Sequence, residues 1–173
     1  MSVFTIGVTG HRDLPDDIIP YITRSIKGFF ADLCAEHTDM VLLSSLAEGA
    51  DALCAKLALE SGIKLVAPLP MSAEEYRKDF SGNAAREFDC LLSKASESFR
   101  VNTQEPVPDD PRRGFYYRQA GIYVASNCDV LLAVWNGIER NTPDKAGTWE
   151  TIKLAREYGK RVVKFWRGDN DPE

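Results

Sequence analysis

The chain has 173 residues, 44% of them apolar, a size and composition that fit one domain built on one core, since single cores commonly occupy roughly 100 to 200 residues. A formal charge of -5 and an isoelectric point near 5.2 argue against a broad electrostatic footprint for nucleic acid or an anionic membrane, although they leave room for a small local phosphate site. No apolar run approaches the ~20 residues of a membrane-spanning helix, and the opening MSVFTIGVTG has no charged segment ahead of a longer apolar stretch, so it reads as a first strand.

Short apolar runs rich in β-branched residues alternate along the chain with longer segments of helical period. That alternation predicts an α/β fold, a Rossmann-like three-layer α/β/α sandwich with a mainly parallel sheet of about six strands, spanning residues 1–173 as a single domain. The strands fall at 3–9, 40–44, 64–67, 98–101, 130–135 and 161–166, and most lack apolar/polar alternation, as strands buried on both faces do. Between the first two, residues 16–36 place Ile19, Ile22, Ile26, Phe29, Phe30 and Leu33 at spacings of three and four, an amphipathic helix begun at Pro15 or the Asp16-Asp17 pair. Pro20 falls near its first turn, where a missing amide donor costs little. A second helix covers 49–61 and stops at Gly62; a third region, 72–94, opens on a Ser72-Ala-Glu-Glu75 capping box and breaks near Gly82. Residues 102–113, with Pro106, Pro108 and Pro111 among acidic residues, read as a surface loop able to act as a flap. A fourth helix runs over 114–126 and a fifth over 148–158, ended by Gly159.

Three turns carry the candidate chemistry. The first, Gly7-Val-Thr9-Gly10-His11-Arg12-Asp13, leaves the first strand for the first helix, where glycine-permitted backbone approach and helix amides can hold a phosphate. Arg12 adds a fork-shaped donor, and Thr9 and His11 add neutral ones. The second, Ser44-Ser45-Leu-Ala-Glu48-Gly49-Ala-Asp51, repeats the geometry after strand two, with Glu48 and Asp51 able to accept from ribose hydroxyls or to orient Arg12. The third begins at Asn136-Gly137 and runs through a polar loop to Lys145-Ala-Gly147-Thr148-Trp-Glu150, where Gly147 and Thr148 open the fifth helix. Arg118, polar in an otherwise apolar fourth helix, leans over the same edge. His37 belongs at a helix terminus or in solvent, while Trp135, Phe165 and Trp166 read as core aromatics. Cys34, Cys54, Cys90 and Cys128 are widely spaced, with no CxxC and no histidine pair, and read as buried reduced thiols; a reducing, cytoplasmic setting follows, and no metal site is expected.

Taken together, Gly7-Val-Thr-Gly-His-Arg12, Ser45-Leu-Ala-Glu-Gly-Ala-Asp51, Tyr117-Arg118, and Cys128-Asp-Val-Leu-Leu-Ala-Val-Trp-Asn-Gly137 followed by Gly147-Thr148 resemble the SLOG superfamily. That group includes the Lonely Guy, or lysine decarboxylase-like, phosphoribohydrolases and DNA-processing protein A. The resemblance implies a Rossmann-like fold that binds nucleotides or their derivatives, some members hydrolysing a nucleoside monophosphate to base and ribose phosphate. In the hydrolases a PGGxGTxxE motif supplies a carboxylate, and the preceding helix an arginine. Gly147-Thr148 looks like the GT of that motif and Arg118 like the arginine, but the motif's carboxylate position holds Thr151, with Glu150 one residue early. One helical residue is a rotation of about 100°.

These readings converge on binding of a nucleotide or nucleotide-derived phosphate ligand at the carboxyl edge of the sheet, as sensor or carrier. Thr9, Gly10, His11, Arg12, Ser44, Ser45, Glu48, Gly49, Asn136, Gly147 and Thr148 form the expected site. The alternative is N-glycosidic hydrolysis of nucleoside monophosphates by Glu150 and Arg118. No cofactor is expected. The expected partner is a small-molecule nucleotide rather than nucleic acid or membrane, within a homo-oligomer joined through Phe29, Phe30, Tyr116, Tyr117 and Tyr123.

Overall fold

The computed structural model of the chain describes residues 2–102, 112–140 and 147–167; residues 103–111 of the expected flap, the 141–146 loop and Lys145 with it lie outside these, and Arg113, expected in the flap, opens a helix. In chain order the elements are β1 (Phe4–Gly10), α1 (Ile19–Glu36), β2 (Met40–Leu43), α2 (Ala50–Glu60), β3 (Lys64–Leu69), α3 (Ala73–Arg77), α4 (Gly82–Lys94), β4 (Glu97–Arg100), α5 (Arg113–Asn127), β5 (Val130–Val134), α6 (Thr148–Glu157) and β6 (Arg161–Phe165). The strands form one six-stranded sheet in the order β4-β3-β2-β1-β5-β6, every pair parallel. This is the Rossmann-like α/β architecture that the alternation of elements predicts.

The sheet is covered on both faces because its central strands have apolar side chains on both. In β5, Val130, Leu132 and Val134 join the cluster that holds Ile22, Ile26 and Phe30 of α1 and Ala55 and Ala58 of α2. The alternate residues Leu131 and Ala133 face Val124 and Ala125 of α5 and Ile152 and Ala155 of α6. Successive side chains of a strand point to opposite faces, so a strand between two helical layers must be apolar throughout. The edge strand β4, by contrast, is mostly exposed.

Some local expectations hold and others are revised. Helix α1 starts at Ile19, after an N-cap at Ile18, and not at Asp16; Pro20 still lies in the first turn. The third region is two helices, α3 capped by the Ser72 hydroxyl, which accepts from the Glu75 amide at 3.2 Å, and α4 beginning at Gly82. Of the four free thiols, Cys54 and Cys128 are buried as expected, whereas Cys34 and Cys90 are exposed. His37 ends α1 with its amide on the Leu33 carbonyl and its ring stacked on Phe4 at 3.9 Å. Phe30 and Tyr116 belong to the core and are withdrawn from any subunit interface. No helix among the described residues is long and apolar enough to cross a membrane.

Candidate functional site

Order in the sheet reverses at β1: the chain runs outward through β2, β3 and β4 on one side, then returns to place β5 and β6 on the other. Helices therefore leave the carboxyl ends of β1 and β5 on different sides, and a crevice opens between them. A cleft of about 560 Å³ lies there, lined by Thr9, Gly10, His11 and Arg12 after β1, Ser45, Ala47 and Asp51 after β2, Asn136 after β5, and Gly147 and Thr148 before α6.

Two glycines let the turns close on one another. A Cβ on Gly10 would stand 2.4 Å from the Ala50 Cβ and 2.7 Å from the Val134 carbonyl oxygen. Gly49 has φ of +87°, and a Cβ there would meet the Arg12 carbonyl oxygen at 2.1 Å. The gap so closed is bridged by the Ala50 amide, which donates to the His11 carbonyl at 3.0 Å. The first amide of α2 is thus spent on the neighbouring turn, and Gly49 is a spacer outside the cleft lining. Ser44, fully buried, is also a framework residue: its hydroxyl donates to the Asp51 carbonyl and accepts from the Leu46 amide, both at 3.1 Å. Leu46 has φ of 58°, a left-handed conformation that an L residue rarely adopts. That bend turns Ser45, Ala47 and Asp51 toward the cleft. The Ser45 hydroxyl donates to the Pro68 carbonyl at 2.9 Å.

Asp51 lies in the first turn of α2, partly enclosed at the cleft wall. Burial pushes its carboxyl up to about 7, against the opposing pull of a hydrogen bond from the Ala47 backbone and the charge of Arg12. Beside it the phenol of Tyr76 is almost wholly buried and pushed well up, first by burial and then by the charge of Asp51. Arg12 itself is exposed at the mouth, its guanidinium carbon 5.1 Å from the Tyr117 ring centroid. Tyr117 is fixed in turn, its hydroxyl donating to Asp79. Arg113 clamps the same region, bonding Asp79 at 2.8 Å and Glu75 at 2.9 Å. Bonds from Lys78 and then Arg113 hold the Glu75 carboxyl below its ordinary range.

The opposite wall is aromatic. His11 Nε2 accepts from the Asn136 amide at 3.1 Å, which ties the β1 and β5 turns together, and its ring meets Trp166 edge-on at 5.5 Å. In this role His11 is an acceptor through Nε2, where the sequence suggested a donor. Trp135 and Trp149 stack at 5.3 Å, almost parallel. Lys164 lies over Trp135, and Lys153 and Arg156 over Trp149, each at 5.6 to 5.8 Å. Trp135 and Trp166, assigned to the core by their strand pattern, also line the cleft because they fall at or just past the carboxyl ends of β5 and β6. Position at a strand's carboxyl end was the available signal for both.

Four further expected site residues stand elsewhere. Glu48 is exposed and outside the lining. Arg118 and Glu150 pair with each other at 2.9 Å, with roughly half and a quarter of their side chains exposed, and neither lines the cleft. Thr151 takes the inward place on α6, its hydroxyl on the Gly147 carbonyl at 3.4 Å. Ser44 completes the four as a buried turn residue. Among the described residues, no cluster of histidine, cysteine and acid side chains is placed to hold a metal.

The parallel sheet with a cleft at its reversal defines a Rossmann-like α/β domain. Within that class, the chain superposes on DNA processing protein A from Streptococcus pneumoniae with a TM-score of 0.64 at 19% identity, over 96% of this chain and 52% of that one. For DNA processing protein A from Helicobacter pylori, described with a single-stranded DNA binding mode, the TM-score is 0.62 at 17% identity, over 96% and 67% of the two chains. The molybdenum cofactor carrier protein of Chlamydomonas reinhardtii gives 0.55 at 18% identity, over 94% and 76%. The chain thus spans about half the length of the Streptococcus protein. No protein-family model and no curated protein matches the sequence. The likeness is one of fold, and since one protein sharing it binds single-stranded DNA, acidic charge alone does not set nucleic acid aside.

Proposed function

We propose that the chain binds a nucleotide or nucleotide-derived phosphate ligand in the cleft between the carboxyl ends of β1 and β5, as a sensor or carrier. The observation that carries this reading is the meeting of Arg12, Ser45, Asn136 and Thr148, from three turns, around one cleft at the reversal of the sheet. Arg12 brings an open guanidinium suited to a phosphate, and the tryptophans of the opposite wall bring apolar surface for a base. The shared fold of a molybdenum cofactor carrier is in keeping with a small-ligand role.

Thermal unfolding in the presence of millimolar nucleotides, cyclic nucleotides and ADP-ribose tests the reading. A ligand present at 100 times its Kd contributes about 2.7 kcal/mol to the folded state. In a domain of this size that is a rise in Tm of roughly 5 to 10 °C, which Arg12→Ala should abolish. A flat response across the whole panel sinks the proposal.

One observation favours a second reading, binding of single-stranded DNA. Lys153, Arg156 and Lys164 stand over stacked indoles beside the cleft, a pairing of cations and aromatic rings that suits single strands. Fluorescence anisotropy with a labelled oligothymidylate should then show binding that weakens steeply between about 50 and 200 mM salt. Absence of binding at the lower salt removes this reading.

A further inference from the structure

Arg12 is the cation that would meet the phosphate of a ligand, and no acid holds it. Its side chain is exposed and, among the described residues, forms no hydrogen bond or ion pair. Asp51 feels its charge, without a bond between the two. A guanidinium carries five N–H donors on a side chain of high rotamer entropy, so an arginine left to itself at a cleft mouth is spread over many positions. The contact that Arg12 does make is with the Tyr117 ring, whose centroid lies 5.1 Å from the central carbon of the guanidinium. A ring attracts the cation and uses none of its N–H donors, whereas a carboxylate takes up two of them and competes with a phosphate.

Tyr117 is held from two sides. It stands near the start of α5, against the buried Tyr76 of α3 with ring centroids 6.1 Å apart, and its hydroxyl donates to Asp79. Asp79 is engaged in turn by Arg113, one helical turn before Tyr117, whose Nε donates to it at 2.8 Å. The same guanidinium donates to the Glu75 carboxylate at 2.9 Å and to the Glu75 carbonyl at 3.0 Å, and Lys78 reaches Glu75 at 2.7 Å. Arg113, Glu75 and Asp79 are each less than a quarter exposed, so their bonds are weakened little by solvent. Two acids are thus met by two bases, and neither acid is left to draw Arg12 off the ring. None of these four lines the cleft, whereas Tyr117 does. Resting on the nucleotide reading above, we propose that Tyr117 is the residue that positions Arg12 for the anionic group of the ligand, and that the Arg113–Asp79 pair acts through Tyr117 by fixing its ring.

The proton resonances of the Arg12 side chain in the ligand-free full chain test the contact itself. Protons held over an aromatic face are shifted upfield, so those of Arg12 should be shifted in the unaltered chain and in Tyr117→Phe, which keeps the ring, and should return to ordinary positions in Tyr117→Leu. Titration calorimetry with AMP, ADP and ADP-ribose tests the consequence. Ordering one rotamer-rich side chain on binding corresponds to roughly 2- to 10-fold in affinity, which is the loss expected in Tyr117→Leu, with recovery to within about twofold of the unaltered chain in Tyr117→Phe. Arg12 resonances that are unshifted in the unaltered chain, or that stay shifted in Tyr117→Leu, overturn the assignment. Unchanged nucleotide affinity in Tyr117→Leu, or an equal loss in the two variants, also overturns it and leaves the nucleotide reading standing. If no nucleotide binds the unaltered chain, the nucleotide reading fails, and the Arg12 resonances alone decide whether Tyr117 places the guanidinium. Should Tyr117→Leu not fold, the resonances of the unaltered chain and of Tyr117→Phe decide.

Discussion

At Asp51 the requirements of stability and of a ligand site pull apart. Its carboxyl titrates near pH 7 in the folded chain, against an ordinary value of 3.8. Because the folded pKa is raised, the folded state holds a proton that the unfolded state has released between about pH 4 and 7, and stability falls as pH rises through that window. Above pH 7 the penalty is complete. Between about pH 5.5 and 8 the loss amounts to about 2 kcal/mol. Asp51→Asn cannot titrate, so urea midpoints of the variant should lose that part of the decline and stand above the unaltered chain at pH 8. Equal slopes for the two proteins over this range would show that Asp51 is not desolvated. Arg118 and Glu150 make the opposite case: an exposed pair of this kind contributes about 0 to 1 kcal/mol, and neither side chain reaches the cleft.

Packing between elements gives a sharper test of how the site is built. Gly49 must take a left-handed backbone and must also let α2 approach the β1 turn, so Gly49→Ala meets both a conformational cost of about 1 to 2 kcal/mol and a collision with the Arg12 carbonyl. Thermal unfolding should show a large fall in Tm, together with loss of any ligand affinity that depends on Arg12. Gly28→Ala is the control: it lies in the middle of α1, nothing stands within 4 Å of its added carbon, and a gain of up to about 1 kcal/mol is expected. Equal effects would mean that the contact between the turns is not structural. Elements of this kind were legible in the sequence where burial is two-sided, as in Val130–Val134, or where a glycine ends a helix, as at Gly62 and Gly159. The start of α1 was not, since Asp16 and Asp17 resemble a cap although Ile18 occupies it. Register on α6 was legible from the 100° step per residue, and Thr151 does take the inward place that Glu150 would need. The aromatic wall was not legible in the apolar pattern, which an indole past the end of a strand shares with one in the core; only the position of Trp135 and Trp166 just beyond β5 and β6 marks them. Asp51 appeared as one polar residue among several, and only its place at the cleft wall, with its raised carboxyl, distinguishes it.

Among the described residues, two concavities of similar size stand out, so volume does not choose between them. One is the cleft at the sheet's carboxyl edge, about 560 Å³; the other, about 590 Å³, lies between α2 and α4 and is lined by Lys56, Leu59, Glu60, Glu87, Cys90, Leu91 and Lys94. The two differ in where backbone and charge point. The groove between α2 and α4 is walled by helix sides, whose backbone amides are engaged within the helices, and its charged residues include both signs, Lys56 and Lys94 against Glu60 and Glu87. At the sheet edge, the turns after β1, β2 and β5 meet, and turns carry backbone groups that no ladder satisfies. Hydrogen exchange with a bound nucleotide should therefore protect amides after β1 and β5, around residues 11–13 and 136–138, while leaving the segments 56–60 and 87–94 unchanged. Protection confined to α2 and α4 would move the ligand to the groove and end the assignment of the sheet-edge cleft. The β4 edge serves as an internal reference, because it lies three strands from β1 and touches neither concavity. A general rise in protection that includes Glu97–Arg100 would report global stabilisation rather than contact, and only the excess at the β1 and β5 turns would locate the ligand.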